Sequence, residues 1–509
     1  MESKISFCIP LAILTAGISI SCGTMEEFVI PGAGFSFDDA PPPRFGPVSV
    51  HDPSVFPADD VFYVIGSHLA MAKTGDFIQW NQVSSDWNGR PNILYPADNP
   101  DPSVQTMKEQ IADVMRGQRN PLGFFASDIH LMPDGKFYHY YSITASWYCS
   151  AIGLAVGDSA EGPYVTQGLI VRSGEAADDS KTPDGTSAWI QIRFPNCIDP
   201  QAFFDNDGKF WLVYGSWSGG IFLLELDPST GMLKEGAAIN AESNGYGRRL
   251  IRNAHGAVEG PYIIYSPQSG YYYLFVSFGG LAAAGGYNMR VFRSTSPDGP
   301  YEDTVNHDIG KEFRHTSLKD YGVKIMGGYQ FSRLGGPPGL GNVGYLSPGH
   351  NSVWYDADTG RYFLIYHQRF SGRGEYHEVR VRELFVTEDN WFAASPFRYD
   401  GGRVRSFIPD QLTGDWRLIN HGRDNNTTPH ESRIYQFRGD GKITEDSGKD
   451  VGIWELGDDG KTANITVDGI LYKGVFLRCW DDEDNSWVQA FTALSGEGVA
   501  LWGAGAAPK

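Results

Sequence analysis

Apolar and polar positions alternate in short runs along most of this chain, and the runs come in pairs. In "IDPQAFFDNDGKFWLVYGS" (198–216) an apolar run, a polar turn and an aromatic-rich run follow a lone acid. That pattern predicts two strands joined as a hairpin. It recurs in "HDPSVFPADDVFYVIGS" from His51, "SDIHLMPDGKFYHYYS" from Ser127, "EGPYIIYSPQSGYYYLFVS" from Glu259 and "HNSVWYDADTGRYFLIYH" from His350. The turns carry hairpin chemistry at Pro133-Asp134-Gly135, Asn206-Asp207-Gly208 and Thr359-Gly360, where glycine supplies the positive φ that closes a tight turn.

A further strand pattern follows several hairpins, as in "AIGLAVGDS" (151–159), "IFLLELDPS" (221–229) and "YNMRVFRST" (287–295). Five such units predict an all-β, five-bladed β-propeller over residues 46–405. A stack of independent sandwiches is the alternative, but each unit is too short to bury a core alone. From about residue 409 the pattern changes to short strands with Gly-rich turns, such as "ESRIYQFRGDGKI" and "VGIWELGDDGKTANITVDG". Residues 406–509 are therefore expected to form a small antiparallel β-barrel domain. Its Trp416, Trp480 and Trp487 are read as packing residues, with carbohydrate binding as the alternative use.

In a propeller the innermost strands line a central channel. The polar heads of the five units are Asp52, Asp128, Asp199, Glu259 and His350. If each begins an inner strand, all converge at one channel mouth. Proline after Asp52 and Asp199 suits a strand start and stiffens the backbone that holds the acid. Converging carboxylates and an imidazole suit either a cation site or acid–base chemistry, in which neighbours drive one carboxyl pKa up and leave another ionised.

Composition narrows the partners. The formal net charge is −20, which disfavours nucleic acid and leaves a neutral polymer acceptable. Aromatics make up 14% of residues, enough to fill blade cores and still offer faces to sugars. Residues 1–22 carry Lys4, an apolar run and "ISISCGT" ending near Cys22. They read as a lipoprotein-type signal peptide with Cys22 as the lipidated residue. Residues 23–45 read as a tether and entry arm. This predicts secretion or display on a bacterial outer membrane, with membrane contact only through the lipid anchor. Beyond the targeting segment only Cys149, Cys197 and Cys479 remain, so at least one is free. A monomer is expected.

"HDPS", "IDPQAFFDNDGKFWLVYGS", "VEGPY" and "GHNSVWYD", in that order, resemble glycoside hydrolase family 43, and within it the endo-α-1,5-L-arabinanases. The resemblance covers about residues 45–400. It implies an inverting mechanism with Asp52 as general base, Glu259 as general acid and Asp199 as the acid that orients Glu259 and tunes its pKa. It implies a bound calcium at His350, with His367 in "IYHQRF" as the competing ligand. It places Asp128, Gly153, Asn196, Ser216 and Trp217 among the residues that line the sugar subsites. The C-terminal part is similar to the barrel that follows the propeller in some extracellular arabinanases. Two departures stand out. The family's "WAPD" is here "FFASD", so Phe125 replaces a tryptophan and Ser127 a proline. Residues 99–123 form a long insertion, read as partly helical. Exo-acting relatives of the family, or a sugar-binding propeller without catalysis, are the rival readings.

Overall fold

The structure is a computed structural model that describes residues 41–505 except 86–92, 96–108, 111–122, 147–148, 174–191, 193, 238–244, 334–342 and 403. The signal segment with Cys22, the tether up to residue 40 and nearly all of the 99–123 insertion lie outside the described residues. The remaining strands belong to one compact unit that begins at Pro41.

Blades 1 to 4 are each a four-stranded antiparallel meander made from one continuous stretch of chain. Blade 1 holds β1 (Ser54–Ala58), β2 (Val61–Ile65), β3 (Met71–Thr74) and β4 (Asn81–Ser84). Blade 2 holds β5 (Gly123–Leu131), β6 (Phe137–Ser146), β7 (Cys149–Gly157) and β8 (Val165–Arg172). Blade 3 holds β9 (Gln201–Phe204), β10 (Phe210–Tyr214), β11 (Gly219–Leu226) and β12 (Arg248–Asn253). Blade 4 holds β13 (Val258–Ser266), β14 (Tyr271–Phe278), β15 (Asn288–Ser294) and β16 (Val323–Met326). Blade 5 is extended: β17 (Tyr329–Gln330) flanks β18 (Tyr345–Asp356), β19 (Arg361–Phe370), β20 (His377–Val386) and β21 (Phe392–Ala394). The first strands β1, β5, β9, β13 and β18 neighbour one another in that order, and β18 returns to β1. That cycle is a five-bladed propeller with the first strand of each blade innermost.

The hairpins form where the sequence places them. Gly135, Gly208 and Gly360 take φ of 82°, 81° and 70°. Asp205 accepts from the Asp207 and Lys209 amides across its turn, at 2.9 Å each. Blades 1 and 5 are joined where the Val379 amide donates to the Val48 carbonyl (2.9 Å) and where Ser352 Oγ donates to the Pro53 carbonyl (2.8 Å) and accepts from the Val55 amide (3.1 Å). Behind them, Val50, Val55 and Val64 pack against Phe363, Ile365 and Val381, which excludes water from the seam between blades 1 and 5.

The C-terminal strands are β22 (Gly414–Asn420), β23 (His430–Glu431), β24 (Arg433–Phe437), β25 (Lys442–Thr444), β26 (Asp450–Leu456), β27 (Thr462–Val467), β28 (Ile470–Asp481), β29 (Ser486–Ser495) and β30 (Ala500–Gly505). All except β23 form a closed antiparallel barrel, with β30 pairing back onto β22. β23 runs parallel to β17 and joins the blade 5 sheet. The side-chain period of two splits the barrel strands cleanly. Trp416, Phe437, Trp454, Phe476 and Phe491 fill the interior with ring contacts. Ile419, Leu477, Ala490 and Trp502, of opposite parity, share a core with Tyr329, Trp391 and Phe392 of the propeller. The barrel is thus bonded to the propeller through a continuous apolar core, so the two move as one body.

Trp416 is barrel core, and Trp480 and Trp487 pack edge to face with each other at 5.4 Å, with Arg478 over the Trp487 ring. They pack as expected of structural tryptophans. Cys149, Cys197 and Cys479 are all buried, and Cys197 and Cys479 are free thiols.

Candidate active site

The channel mouth is built by a backbone feature that repeats five times. Asp52, Ala126, Asp199, Gly260 and His350 all have positive φ, between 39° and 60°. Each stands two residues before the equivalent position in its inner strand. This corrects the simple alignment of polar heads. The equivalent stretches are "DPSV", "ASDI", "DPQA", "GPYI" and "HNSV". Only Asp52, Asp199 and His350 are true equivalents. Glu259 precedes its blade's position by one residue, and Asp128 follows its own by two. Four of these five residues carry a Cβ that makes positive φ costly, and the cost is concentrated at the mouth.

Asp128 is accordingly placed one layer down the channel. Its Oδ1 accepts from Ser54 Oγ (2.5 Å) and its Oδ2 from the Ala202 amide (2.8 Å). In the same layer Gln201 bonds both the amide and carbonyl of Ile263, at 3.1 and 3.2 Å. Each of these side chains ties its blade to the next, as Ser352 does at the seam. Asp128 is a strut between blades 1, 2 and 3, and burial pushes its carboxyl up to about 6. The structure does not bring it to the mouth.

Asp52, Asp199, Glu259 and His350 do meet. His350 Nδ1 lies 3.1 Å from Asp52 Oδ1. Asp52 Oδ2 receives Ser67 Oγ at 2.5 Å and His51 Nδ1 at 2.8 Å. Burial alone would raise the Asp52 pKa, but the His350 and His51 rings outweigh it and hold the carboxyl well below its ordinary range. Asp199 Oδ2 accepts from the Gly260 amide at 3.1 Å. Burial, with Glu259 and Asp52 nearby, pushes Asp199 up to about 8 against the pull of His350. Glu259 is raised as well, by burial foremost and against the pull of His350. His350, despite burial, is raised to about 9 by the three carboxylates. The cluster therefore drives its acids apart: Asp52 is held low, while Asp199 and Glu259 are pushed up.

Glu259 is fixed by two donors from the loop after β10. Ser216 Oγ and Trp217 Nε1 reach Glu259 Oε2 at 2.9 and 3.0 Å. Trp217 itself is anchored through its amide to the Val258 carbonyl (2.9 Å) and takes φ of 55°. Ser216 and Trp217, expected at the sugar subsites, are thus direct partners of the Glu259 carboxyl. Asn196 is buried three residues before Asp199, its amide donates to the Ser218 carbonyl (3.2 Å), and its Oδ1 has no partner among the described residues. Gly153 is elsewhere. It lies two strands out, in β7 opposite Tyr141, and a Cβ there would fall 2.5 Å from the Tyr141 ring. Its place is set by core packing in blade 2, not by the mouth.

The sequence profile described as Glycosyl hydrolases family 43 matches residues 45–324, which contain three of the four clustered residues. The chain belongs to glycosyl hydrolases family 43. A second profile, a C-terminal lipocalin-like domain, matches residues 396–503. The chain is 40% identical to the extracellular endo-alpha-(1->5)-L-arabinanase 2 of Bacillus subtilis over 485 residues, covering 94% of this chain and 96% of that one. The crystal structure of the family 43 YxiA protein from Bacillus licheniformis superposes with a TM-score of 0.80 at 41% identity, covering 91% of this chain and 99% of that one. The endo-1,5-alpha-L-arabinanase of Thermotoga petrophila superposes with a TM-score of 0.81 at 38% identity, covering 91% and 100%.

Several residues around this family 43 cluster escape a reading of strand heads. His51 stacks on His367 at 4.1 Å and bonds Arg369 at 2.9 Å through Nε2. Ser67, in the turn after β2, links Asp52 to the Ala126 amide (2.9 Å). His51 adjoins Asp52 in "HDPS", which is a signal in the sequence; nothing local marks Ser67. Phe125 is partly exposed beside Ala126, its ring 5.4 Å from His68. The "FFASD" departure thus still sets an aromatic ring beside the mouth.

Two donor sets surround Asp52. Asp52, Asp199 and Glu259 offer carboxylate oxygens of the kind calcium takes, and His350 adds one nitrogen; water must complete the shell. His51, Asp52 and His367 bring donor atoms within 4.8 Å of one another, a nitrogen-rich set closer to transition-metal taste. His367 is held neutral by burial and by His51, and its Nε2 has no partner among the described residues.

Proposed function

We propose that this chain hydrolyses internal α-1,5-L-arabinofuranosyl linkages of arabinan with inversion at the anomeric carbon. The observation that carries the reading is the split within the cluster: Asp52 ionised and Glu259 raised. Hydrolysis with inversion needs one carboxylate to take a proton from water and one carboxylic acid to give a proton to the leaving oxygen. Asp52 fits the base, Glu259 the acid. Asp199, bonded to the amide next to Glu259 and charge-coupled to it, fits the residue that positions the acid. Ser216 and Trp217 border the acid and support a sugar subsite there, and Asn196, whose amide donates to the Ser218 carbonyl at 3.2 Å, lies against the same loop. The relatives' names supply the substrate, since the cluster itself identifies only the reaction.

The mechanism follows in a single displacement. Asp52 removes a proton from water as its oxygen attacks the anomeric carbon. The bond to the leaving oxygen breaks while Glu259 delivers its proton there. Both carboxyls end in the opposite state, and solvent resets them.

A calcium ion near His350 belongs to the same proposal. The ionised Asp52 carboxylate beside His350 calls for positive charge, and either a proton on His350 or a divalent cation meets that demand. When bound, calcium would supply fixed charge that keeps Asp52 ionised. The word extracellular in the Bacillus subtilis relative's name supports secretion, and the "ISISCGT" stretch supports a lipid anchor at Cys22. We read the enzyme as a monomer acting on polysaccharide.

Product analysis tests the reading. Linear arabinan should yield a ladder of oligosaccharides early, and proton NMR of fresh product should show the β-anomer first. Release of monomer alone from chain ends would refute the internal cut, and initial α-anomer would refute inversion.

A further inference from the structure

The barrel interior is filled at one end only. Trp416, Phe437, Trp454, Phe476 and Phe491 plug that half. Toward the other end the same inward-facing parity continues through Leu418 and Asn420 on β22, Arg433 and Tyr435 on β24, Val467 on β27, Ile470 and Tyr472 on β28, and Leu501 on β30. These residues line a cavity of about 600 Å³, within the size range of small-molecule sites. Eight-stranded barrels have room for one small ligand when side chains do not fill them. Here they stop short of filling it.

We propose that this cup is a second carbohydrate site, separate from the channel mouth, that takes a short neutral furanose oligosaccharide. Its walls combine two tyrosines, at 435 and 472, with a few aliphatic side chains. Its rim carries Asn420, Glu431, Ser432, Arg433 and Asp468. Aromatic and aliphatic surface suits sugar C–H faces, while amide, hydroxyl, carboxylate and guanidinium groups suit sugar hydroxyls. Asn420 Nδ2 already donates to the Tyr472 hydroxyl at 3.0 Å, which fixes both groups at the wall. A purely apolar ligand would leave these polar groups desolvated and unpaired.

The rim is also tied to the catalytic domain. His430 and Glu431, which help line the cup, form β23 and pair with β17 beside β18, the strand that carries His350. The preceding loop is bonded to blade 4: Lys324 Nζ reaches Asp424 Oδ1 and the His421 carbonyl at 2.9 and 2.7 Å, and Asn288 Nδ2 reaches Asn425 Oδ1 at 2.9 Å. A chain held in the cup is thus held at a fixed distance from the mouth, which raises its effective concentration there. That the occupant is an arabino-oligosaccharide rests on the reading in the preceding section; the cup itself does not.

The test uses the full chain with Glu259→Gln to stop turnover, titrated calorimetrically with linear arabinohexaose, xylohexaose and palmitate. Two arabinohexaose sites are expected. Ile470→Trp, which closes the mouth, should abolish one and spare the other. Arg433→Ala, an exposed change that folding tolerates, should weaken the same site about tenfold. In the active enzyme, both changes should lower turnover of polymeric arabinan while leaving arabinotriose turnover unchanged. One arabinohexaose site, unaffected by Ile470→Trp, would overturn the cup and keep the hydrolase. Xylohexaose in both sites, with arabinohexaose in neither, would keep a sugar-binding cup and overturn the arabinan reading. Palmitate held in the cup and not displaced by sugar would make it an apolar-ligand site and refute the proposal.

Discussion

His350 Nδ1 of blade 5 stands 3.1 Å from Asp52 Oδ1 of blade 1, across the seam where the propeller closes. The carboxylate proposed as the base is therefore paired with a ring from the other side of that seam. His350→Gln removes the positive charge that, with His51, holds Asp52 low. The Asp52 pKa should rise, and the acid limb of the kcat/KM profile should move up by roughly one to two pH units. A limb that stays in place would detach His350 from the base.

Calcium removal should act in the same direction. Chelation is expected to lower activity most at acidic pH, where Asp52 is closest to protonation, and added calcium should restore it. Equal activity of fully demetallated enzyme across the pH range would refute a role for the ion.

Glu259→Ala and Asp52→Ala should both cripple arabinan hydrolysis, but they should part on an aryl arabino-oligosaccharide with a good leaving group. General acid catalysis contributes on the order of 10²–10⁴-fold, and an activated leaving group needs little of it. Glu259→Ala should lose far less on that substrate, whereas Asp52→Ala should lose heavily on both. Equal losses would reassign the roles.

Ser216 and Trp217 donate to Glu259 Oε2 and so favour its ionised form. Ser216→Ala with Trp217→Phe should raise the Glu259 pKa further and shift the alkaline limb upward by roughly one unit, with a fall in kcat. A rise in KM with an unmoved limb would make them sugar contacts only.

Asp128 gives a stability prediction. Its folded pKa of about 6 lies above the ordinary 3.8. Between those values the folded chain keeps a proton that the unfolded chain has shed. Stability should therefore fall as pH rises through that window, by up to about 3 kcal/mol. Asp128→Asn keeps an acceptor for Ala202 and removes this slope, so it should be at least as stable as the parent at pH 7. Urea titrations at pH 4.5 and 7 measure it; a large loss at pH 7 would mean the ionised carboxylate is the form that bridges the blades.

The sequence by itself determined the hairpin turns, the five-unit order and the change of architecture near residue 409, because these follow from local alternation and turn residues. It also marked Asp52, Asp199, Glu259 and His350, since each heads the apolar run of its unit. Register was decided by tertiary structure. Whether Asp128 or Ala126 faces the mouth depends on a positive-φ bulge two residues away, and only packing against blades 1 and 3 fixes that choice. Gly153 was legible as a glycine in a strand, but its reason is the Tyr141 ring from the neighbouring strand. The pKa split depends on charges brought together from positions 52, 199, 259 and 350, and no local pattern holds that information. The half-empty barrel is likewise a sum over eight strands: each shows only alternation, and the gap appears when their inward residues are counted against the volume they enclose.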